Sequence, residues 1–298
     1  MSESDAVTAV TVSATGLGLR GPRGWVFRGV GIDAEPGSLI AIEGPSGSGR
    51  TCLLLALTGR MKITEGEAAI GALRLPRQMS AVRRVSALAH VPGVTDLDPA
   101  LTVGEHLRER ALLRRRFTGS VRAVLRGLLR SRAERAAETS AHVGTALAAA
   151  GLDLSALPKG ERTAVRDLER LEALRLSVAL ALIGRPRLLA VDDADLKLAP
   201  AERAEVWDLL RSLTASGTTV VAVCGEAPGD AVVVPTRAGT DATADPDARD
   251  DENADAPDAQ DGKSEKNDQD GKNDQDDQDD QDDEDEEAAD ALAETGRA

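Results

Sequence analysis

The sequence predicts an α/β fold, with a mostly parallel sheet, flanking helices and an inserted helical region. Three observations carry that expectation. Short apolar or β-branched runs alternate with helical periodicities through most of the chain. A glycine-rich turn, Gly44–Thr51, stands between an apolar run and a helical segment. A second apolar run, Leu188–Val191, ends in two adjacent carboxylates, Asp192 and Asp193.

The elements follow in order. Ala6–Ser13 has the β-branched alternation of a strand. Ser38–Ile42 is a short apolar run entering the glycine-rich turn, and Thr51–Leu57 reads as the helix beyond it. Glu67–Leu73 and Val85–Val91 are expected as further strands. Thr102 with Glu105 forms a capping box, in which the two side chains satisfy the first free N–H groups of a helix. Ser120–Arg132 is the clearest amphipathic helix. Val121, Val124, Leu125, Leu128 and Leu129 share one face, and Arg122, Arg126 and Arg130 line another. Helical patterns continue over Ala141–Ala150 and Leu168–Ile183. Leu188–Val191 is a buried-strand run, Ala201–Leu213 is helical, Thr218–Val223 is a strand, and Ala231–Val234 is a last short strand. No internal repeat is evident.

Composition divides the 298-residue chain in two. Residues 1–235 are those of a globular domain, long enough for one full hydrophobic core, and the helical insertion covers about 95–185. Residues 236–298 form a low-complexity tail. From Asp241 to the end there are 25 acidic and 5 basic residues, against −15 for the whole chain, so residues 1–240 carry about +5. Such a tail has little apolar area to bury and is expected to be disordered and solubilising. With two Trp, two Phe and no Tyr, the core must come from Leu, Val, Ala and Ile. Cys52 and Cys224 are far apart and have no partners at metal-ligand spacing, which suits small buried residues in a reducing cytosol. Apolar runs such as Leu176–Ile183 fall well short of the ~20 residues that span a bilayer. No charged-then-apolar leader opens the sequence, so a cytoplasmic location is expected.

The chemistry concentrates in two places. In Gly44-Pro45-Ser46-Gly47-Ser48-Gly49-Arg50-Thr51, followed by Cys52, glycines let the backbone wrap so that successive N–H groups converge on phosphate oxygens. The following helix adds its positive N-terminal end. Thr51 would place a hydroxyl on Mg²⁺. The spacing is that of a phosphate loop, hence a P-loop NTPase fold, with Arg50 where Lys is expected. Arg grips phosphate, but its planar fork does not replace a compact ammonium cleanly. At the other place, Asp192 is expected to hold Mg²⁺ through water, and Asp193 to orient or deprotonate an attacking water. Asp193 stands where Glu is usual, and about 1 Å of lost reach can cost on the order of 10²-fold in rate.

With these motifs in order, residues 5–228 resemble an ABC transporter ATP-binding subunit. Leu57–Leu73 is similar to the segment that follows the phosphate loop in that family. Leu101-Thr102-Val103-Gly104-Glu105-His106-Leu107 looks like the opening of its helical subdomain, and Arg175–Asp193 like the stretch joining signature helix to acidic strand. The resemblance implies binding of ATP with Mg²⁺ and a transmembrane permease subunit on a separate chain. It also implies pairing as a homo- or heterodimer of nucleotide-binding subunits, and a peripheral position at the inner face of the plasma membrane. The departures matter too. Leu168-Glu169-Arg170-Leu171-Glu172 aligns with a signature whose Ser and Gly amides close over a partner's phosphate, and only the Leu is kept. Cys224-Gly225-Glu226 stands at the switch histidine, Ala89-His90-Val91-Pro92-Gly93 at the glutamine loop, and Ala199 at a second acidic position. No aromatic occupies the adenine-stacking place, though Trp25 is near in sequence. Weak or partner-dependent hydrolysis is therefore expected. The alternatives are a non-catalytic sensing or scaffold protein on the same fold, and an unrelated P-loop kinase. The arginine face at 122–130 reads either as a docking face for a membrane partner or as ordinary solvated surface. The acidic tail argues against nucleic acid.

Overall fold

A computed structural model describes residues 8–117 and 132–237. The arginine face at 122–130 and the acidic tail beyond Arg237 lie outside the described residues.

Five short strands form a wholly parallel sheet: β3 (Leu39–Glu43), β6 (Ser86–Leu88), β7 (Leu188–Val191), β8 (Thr219–Cys224) and β9 (Val232–Pro235), in the order β6-β7-β8-β3-β9. Every residue of β7 and β8 is buried, and so are the first four of β3. A parallel sheet covered on both faces needs such continuous apolar runs, which explains why these strands carry no alternation. Side chains still alternate between the two faces. Ala41, Leu189, Val191, Val220 and Ala222 join one core, packed under α3 (Val103–Phe117), α4 (Arg132–Ala149), α5 (Arg170–Leu182) and α6 (Pro200–Ala215). Ile40, Ile42, Leu188, Ala190, Val221 and Val223 join the other, under α1 (Arg50–Leu57) and a second sheet.

That second sheet is antiparallel, in the order β2-β1-β4-β5, from β1 (Val12–Gly21), β2 (Gly24–Ala34), β4 (Glu65–Ile70) and β5 (Leu73–Leu75). It corrects several sequence expectations. Of the strand expected over Ala6–Ser13, residues 8–11 are not in a strand and β1 starts at Val12, while residues 6–7 lie outside the described residues. The long strand β2 has no counterpart in the sequence reading, because Gly24, Gly29 and Gly31 interrupt its pattern and β1–β2 pairing shifts register three times. The run expected over Glu67–Leu73 divides at the turn Gly71–Ala72 into β4 and β5. The strand expected over Val85–Val91 shrinks to β6, because helix α2 (Met79–Val85) ends just before it.

Other local signals hold. Thr102 N–H donates to Glu105 Oε2 at 2.7 Å and Glu105 N–H to Thr102 Oγ1 at 3.3 Å, which closes the capping box before α3. Pro200 opens α6, where a missing N–H costs nothing. Thr219, at the buried start of β8, is a tie the sequence does not announce. Its hydroxyl donates to Val10 O at 2.6 Å and accepts from the N–H groups of Val10 and Gly37, both at 3.1 Å. No helix among the described residues is long and apolar enough to cross a membrane.

Candidate phosphate-binding site

Parallel strands deliver their C-terminal ends to one edge, and the functional residues meet there. Beyond β3 the chain turns through residues 44–49 and enters α1 at Arg50. Pro45, Ser46 and Gly47 are exposed, whereas Ser48 is fully buried. Two glycines explain the path. Gly47 has φ +80° and nothing within 4 Å of a hypothetical Cβ, so its backbone lies open to a ligand. Gly49 has φ +81°, and a Cβ there would come within 2.6 Å of Val26 O. The loop thus leans on β2 from behind and opens in front.

The two halves of the predicted site come together. Thr51 Oγ1 donates to Asp192 Oδ2 at 2.7 Å, and Asp193 N–H donates to Asp192 Oδ1 at 3.0 Å. Asp192 is only 2 % exposed, and burial pushes its carboxyl above the usual range while the Thr51 hydrogen bond opposes the rise. Asp193 sits at φ +47°, a left-handed conformation uncommon outside glycine, of the kind that concentrates at functional turns. Cys52, on the first turn of α1, has its thiol raised by burial and then by Asp192, so it is a neutral wall of the site.

Arg50 behaves unlike a compact cation. One of its guanidinium N–H groups donates to Cys224 O at 2.7 Å, at the end of β8. The loop after β8 is held in turn by Asp195, whose carboxylate accepts from Gly225 N–H at 3.0 Å and Glu226 N–H at 3.3 Å. The Cys224 thiol is buried and pushed up to about 12, first by burial, then by Asp195 and Glu43. Sequence reasoning found Arg50, Thr51, Asp192 and Asp193. It missed Asp195 and the Cys224 carbonyl, because a backbone acceptor and a lone Asp leave no motif.

Three further expectations are now located. His90 follows β6; its carbonyl accepts from Asp192 N–H at 2.7 Å, and its side chain shares a cavity of about 390 Å³ with Asp96, Arg170, Ser177 and Asp193. Burial, then Arg170, lowers the His90 imidazole below its ordinary value. Trp25 is half-buried, with the Arg28 guanidinium 4.5 Å from its ring centroid and Arg20 at 5.8 Å. Arg28 is paired with Glu65 at 3.1 Å, so one ring face is already stacked. Leu168–Glu172 leads into α5, where Glu169 N–H donates to Glu172 Oε2 at 2.9 Å and Arg170 Nε donates to Leu196 O at 2.7 Å.

A family model described as ABC transporter matches residues 27–195, from β2 through the acidic turn. The chain belongs to the ABC transporter family. It is an ATP-binding cassette on a P-loop NTPase fold. Among its relatives is the Nod factor export ATP-binding protein I of Burkholderia thailandensis, 29 % identical over 197 residues, covering 66 % of this chain and 56 % of the relative. The protein of the same name from Cupriavidus pinatubonensis is 30 % identical over 197 residues, covering 66 % of this chain and 53 % of that one. The cassette thus spans about half the length of the curated relatives it matches. Two solved structures share the fold. The dimeric, post-hydrolysis ATP-binding cassette MJ0796 bound to ADP and Pi superposes with TM-score 0.58 at 21 % identity, over 76 % of this chain and 95 % of its own. A bacterial Atm1-family ABC exporter with ATP bound superposes with TM-score 0.57 at 20 % identity, over 80 % of this chain and 40 % of its own.

The residues fit a magnesium–nucleotide. Open space at Gly47, on an exposed glycine-rich turn before a helix N-terminus, suits phosphate oxygens. Thr51 and Asp192 offer the hard oxygens Mg²⁺ requires. No group of three or more His, Cys, Asp or Glu among the described residues forms a metal cage.

Proposed function

We propose that this chain is the ATP-binding subunit of a transport system and binds Mg-ATP on residues 44–52, with weak or partner-dependent hydrolysis. The observation that carries the reading is the 2.7 Å contact between Thr51 and Asp192, which joins a phosphate loop to an acidic strand end across 141 residues. In this reading the phosphate oxygens are received by the Arg50 guanidinium and by loop amides other than Pro45, which has no N–H, and Ser48, whose N–H donates to Pro45 O at 3.1 Å. Thr51 and Asp192 hold the metal, and Asp193 orients the water. The bound Mg²⁺ would neutralise charge on the transferred phosphoryl group.

Weak hydrolysis follows from the residues around that core. Asp193 is shorter than the usual Glu, and Arg50 spends one donor on Cys224 O. Glu169 and Glu172 bring negative charge to the N-terminus of α5, the end that would otherwise favour an anion. Pairing with a second cassette that supplies an intact signature would complete one composite site, whereas a homodimer would have none. The domain is read as residues 1–235, with its helical subdomain at about 95–185. It works peripherally at the inner face of the plasma membrane, on a permease carried by another chain.

Calorimetric titration of the purified protein with ATP, with and without Mg²⁺, tests the first half. Magnesium-dependent binding is expected, and no affinity for any nucleoside triphosphate would refute the reading. Phosphate release tests the second half, with Asp193→Ala as control. Turnover near the control is expected, and fast turnover abolished by the substitution would show hydrolysis to be intact. A non-catalytic nucleotide sensor is the second reading, favoured by Cys224 at the switch position. Mg-ATP affinity with no turnover, even beside a signature-bearing partner, would identify it.

A further inference from the structure

We infer that Thr236 is a positioning residue for the phosphate loop. This rests on the nucleotide-binding reading above for its functional readout. Strand β9 runs along the outer edge of β3, with Val232 beside Ile40 and Pro235 beside Glu43. One residue further, Thr236 arrives behind the loop. Its N–H donates to Glu43 O at 2.7 Å, which extends the ladder a step past the proline. Its hydroxyl donates to the same carbonyl at 3.1 Å and lies 2.7 Å from Ser48 Oγ. Thr236 has one hydroxyl proton. When Glu43 O takes it, the second contact requires Ser48 to donate.

One hydroxyl therefore bridges residues 43 and 48, the two stems of the bend. Between them lie Gly44, Pro45, Ser46 and Gly47, the turn whose open side receives phosphate. Both hydroxyls are sealed from water: Thr236 is 3 % exposed and Ser48 is 0 %. Water cannot replace either partner, so losing one leaves the other unsatisfied. The approach is also tight in the backbone, since a Cβ on Gly44 would lie 2.6 Å from Thr236 O. Nothing in the loop motif foretells this residue, which stands 188 positions beyond Ser48.

Thr236→Val keeps shape and β-branching and removes the bridge, and Thr236→Ser restores the hydroxyl. Hydrogen exchange on the full-length, nucleotide-free protein reads the loop directly. In peptides covering residues 43–50, the valine variant is expected to exchange about tenfold faster, and the serine variant within about twofold of the parent. Mg-ATP affinity, measured well below the melting temperature, is expected to fall about tenfold for valine and recover for serine. A lower melting temperature with unchanged loop exchange and unchanged affinity would overturn the proposal, because Thr236 would then serve the fold alone. If the valine variant does not fold, Ser48→Ala removes the other half of the same bond and must loosen the loop alike. If the parent protein binds no nucleotide, the functional reading fails, and the exchange measurement still decides the role of Thr236.

Discussion

Replacing Gly49 or Gly47 by alanine should separate what supports the phosphate loop from what faces the ligand. Both residues hold left-handed φ, +81° and +80°, so a Cβ costs roughly 1–2 kcal/mol at either position. Only Gly49 adds a collision. Its Cβ would stand 2.6 Å from Val26 O and 2.9 Å from Val26 Cγ1, and the carbonyl belongs to strand β2, which cannot swing away as a flexible side chain could. Overpacking of this kind costs about 1–3 kcal/mol. Gly49→Ala should therefore lose about 2–5 kcal/mol in all, and Gly47→Ala only the conformational part of about 1–2 kcal/mol. Urea unfolding followed by the fluorescence of Trp25 and Trp207 measures both. Equal losses, or a more stable Gly49 variant, would refute the view that the loop rests on β2. Nucleotide affinity should show a different balance. Gly47→Ala should weaken Mg-ATP out of proportion to its small stability loss, because its Cβ would project into the open side of the bend.

Three other outcomes follow from groups outside the residue 44–49 turn. Thr219→Val strands Val10 N–H, Val10 O and Gly37 N–H at a buried position and should cost about 1–3 kcal/mol in the same unfolding assay. Cys224, with its thiol pushed up to about 12, should resist iodoacetamide at pH 8 in the native protein and react only on unfolding; mass spectrometry of the alkylated peptide checks this. The Asp230 carboxyl is held below its ordinary value of 3.8, chiefly by its hydrogen bonds from Arg211. A lowered acid favours the folded state above the unfolded value and loses that contribution as pH falls through the folded one. The acid limb of the melting curve should therefore flatten slightly in Asp230→Asn, with the effect limited because the pair is exposed.

The parallel sheet and the two halves of the site were legible because their signals are local. Buried parallel strands are short apolar runs, and the phosphate loop is contiguous. The antiparallel sheet was harder to read, because bulges at glycines shift the phase of a two-residue repeat and erase the alternation that identifies a strand. Helix α5 was legible as a helix, although its buried residues (Leu174, Leu176, Ser177, Val178 and Ala179) surround it rather than lie on one stripe. The site partners that sequence reasoning missed are those whose contribution is a backbone atom or a single hydroxyl. Cys224 offers its carbonyl, not its sulfur, to Arg50. Trp25 shows the converse, because its nearness to the loop in sequence did not reveal that Arg28 covers one ring face.

One strand, β8, separates the strand that feeds the phosphate loop from the strand that ends in Asp192. Adjacent strands lie about 4.8 Å apart, so two ladder steps hold the roots of these two groups roughly 10 Å from each other. Backbone pairing, not side-chain identity, keeps that ruler. Substitutions in the outlying turns can accumulate without stretching it, so the spacing of the two groups would outlast changes in the residues around them.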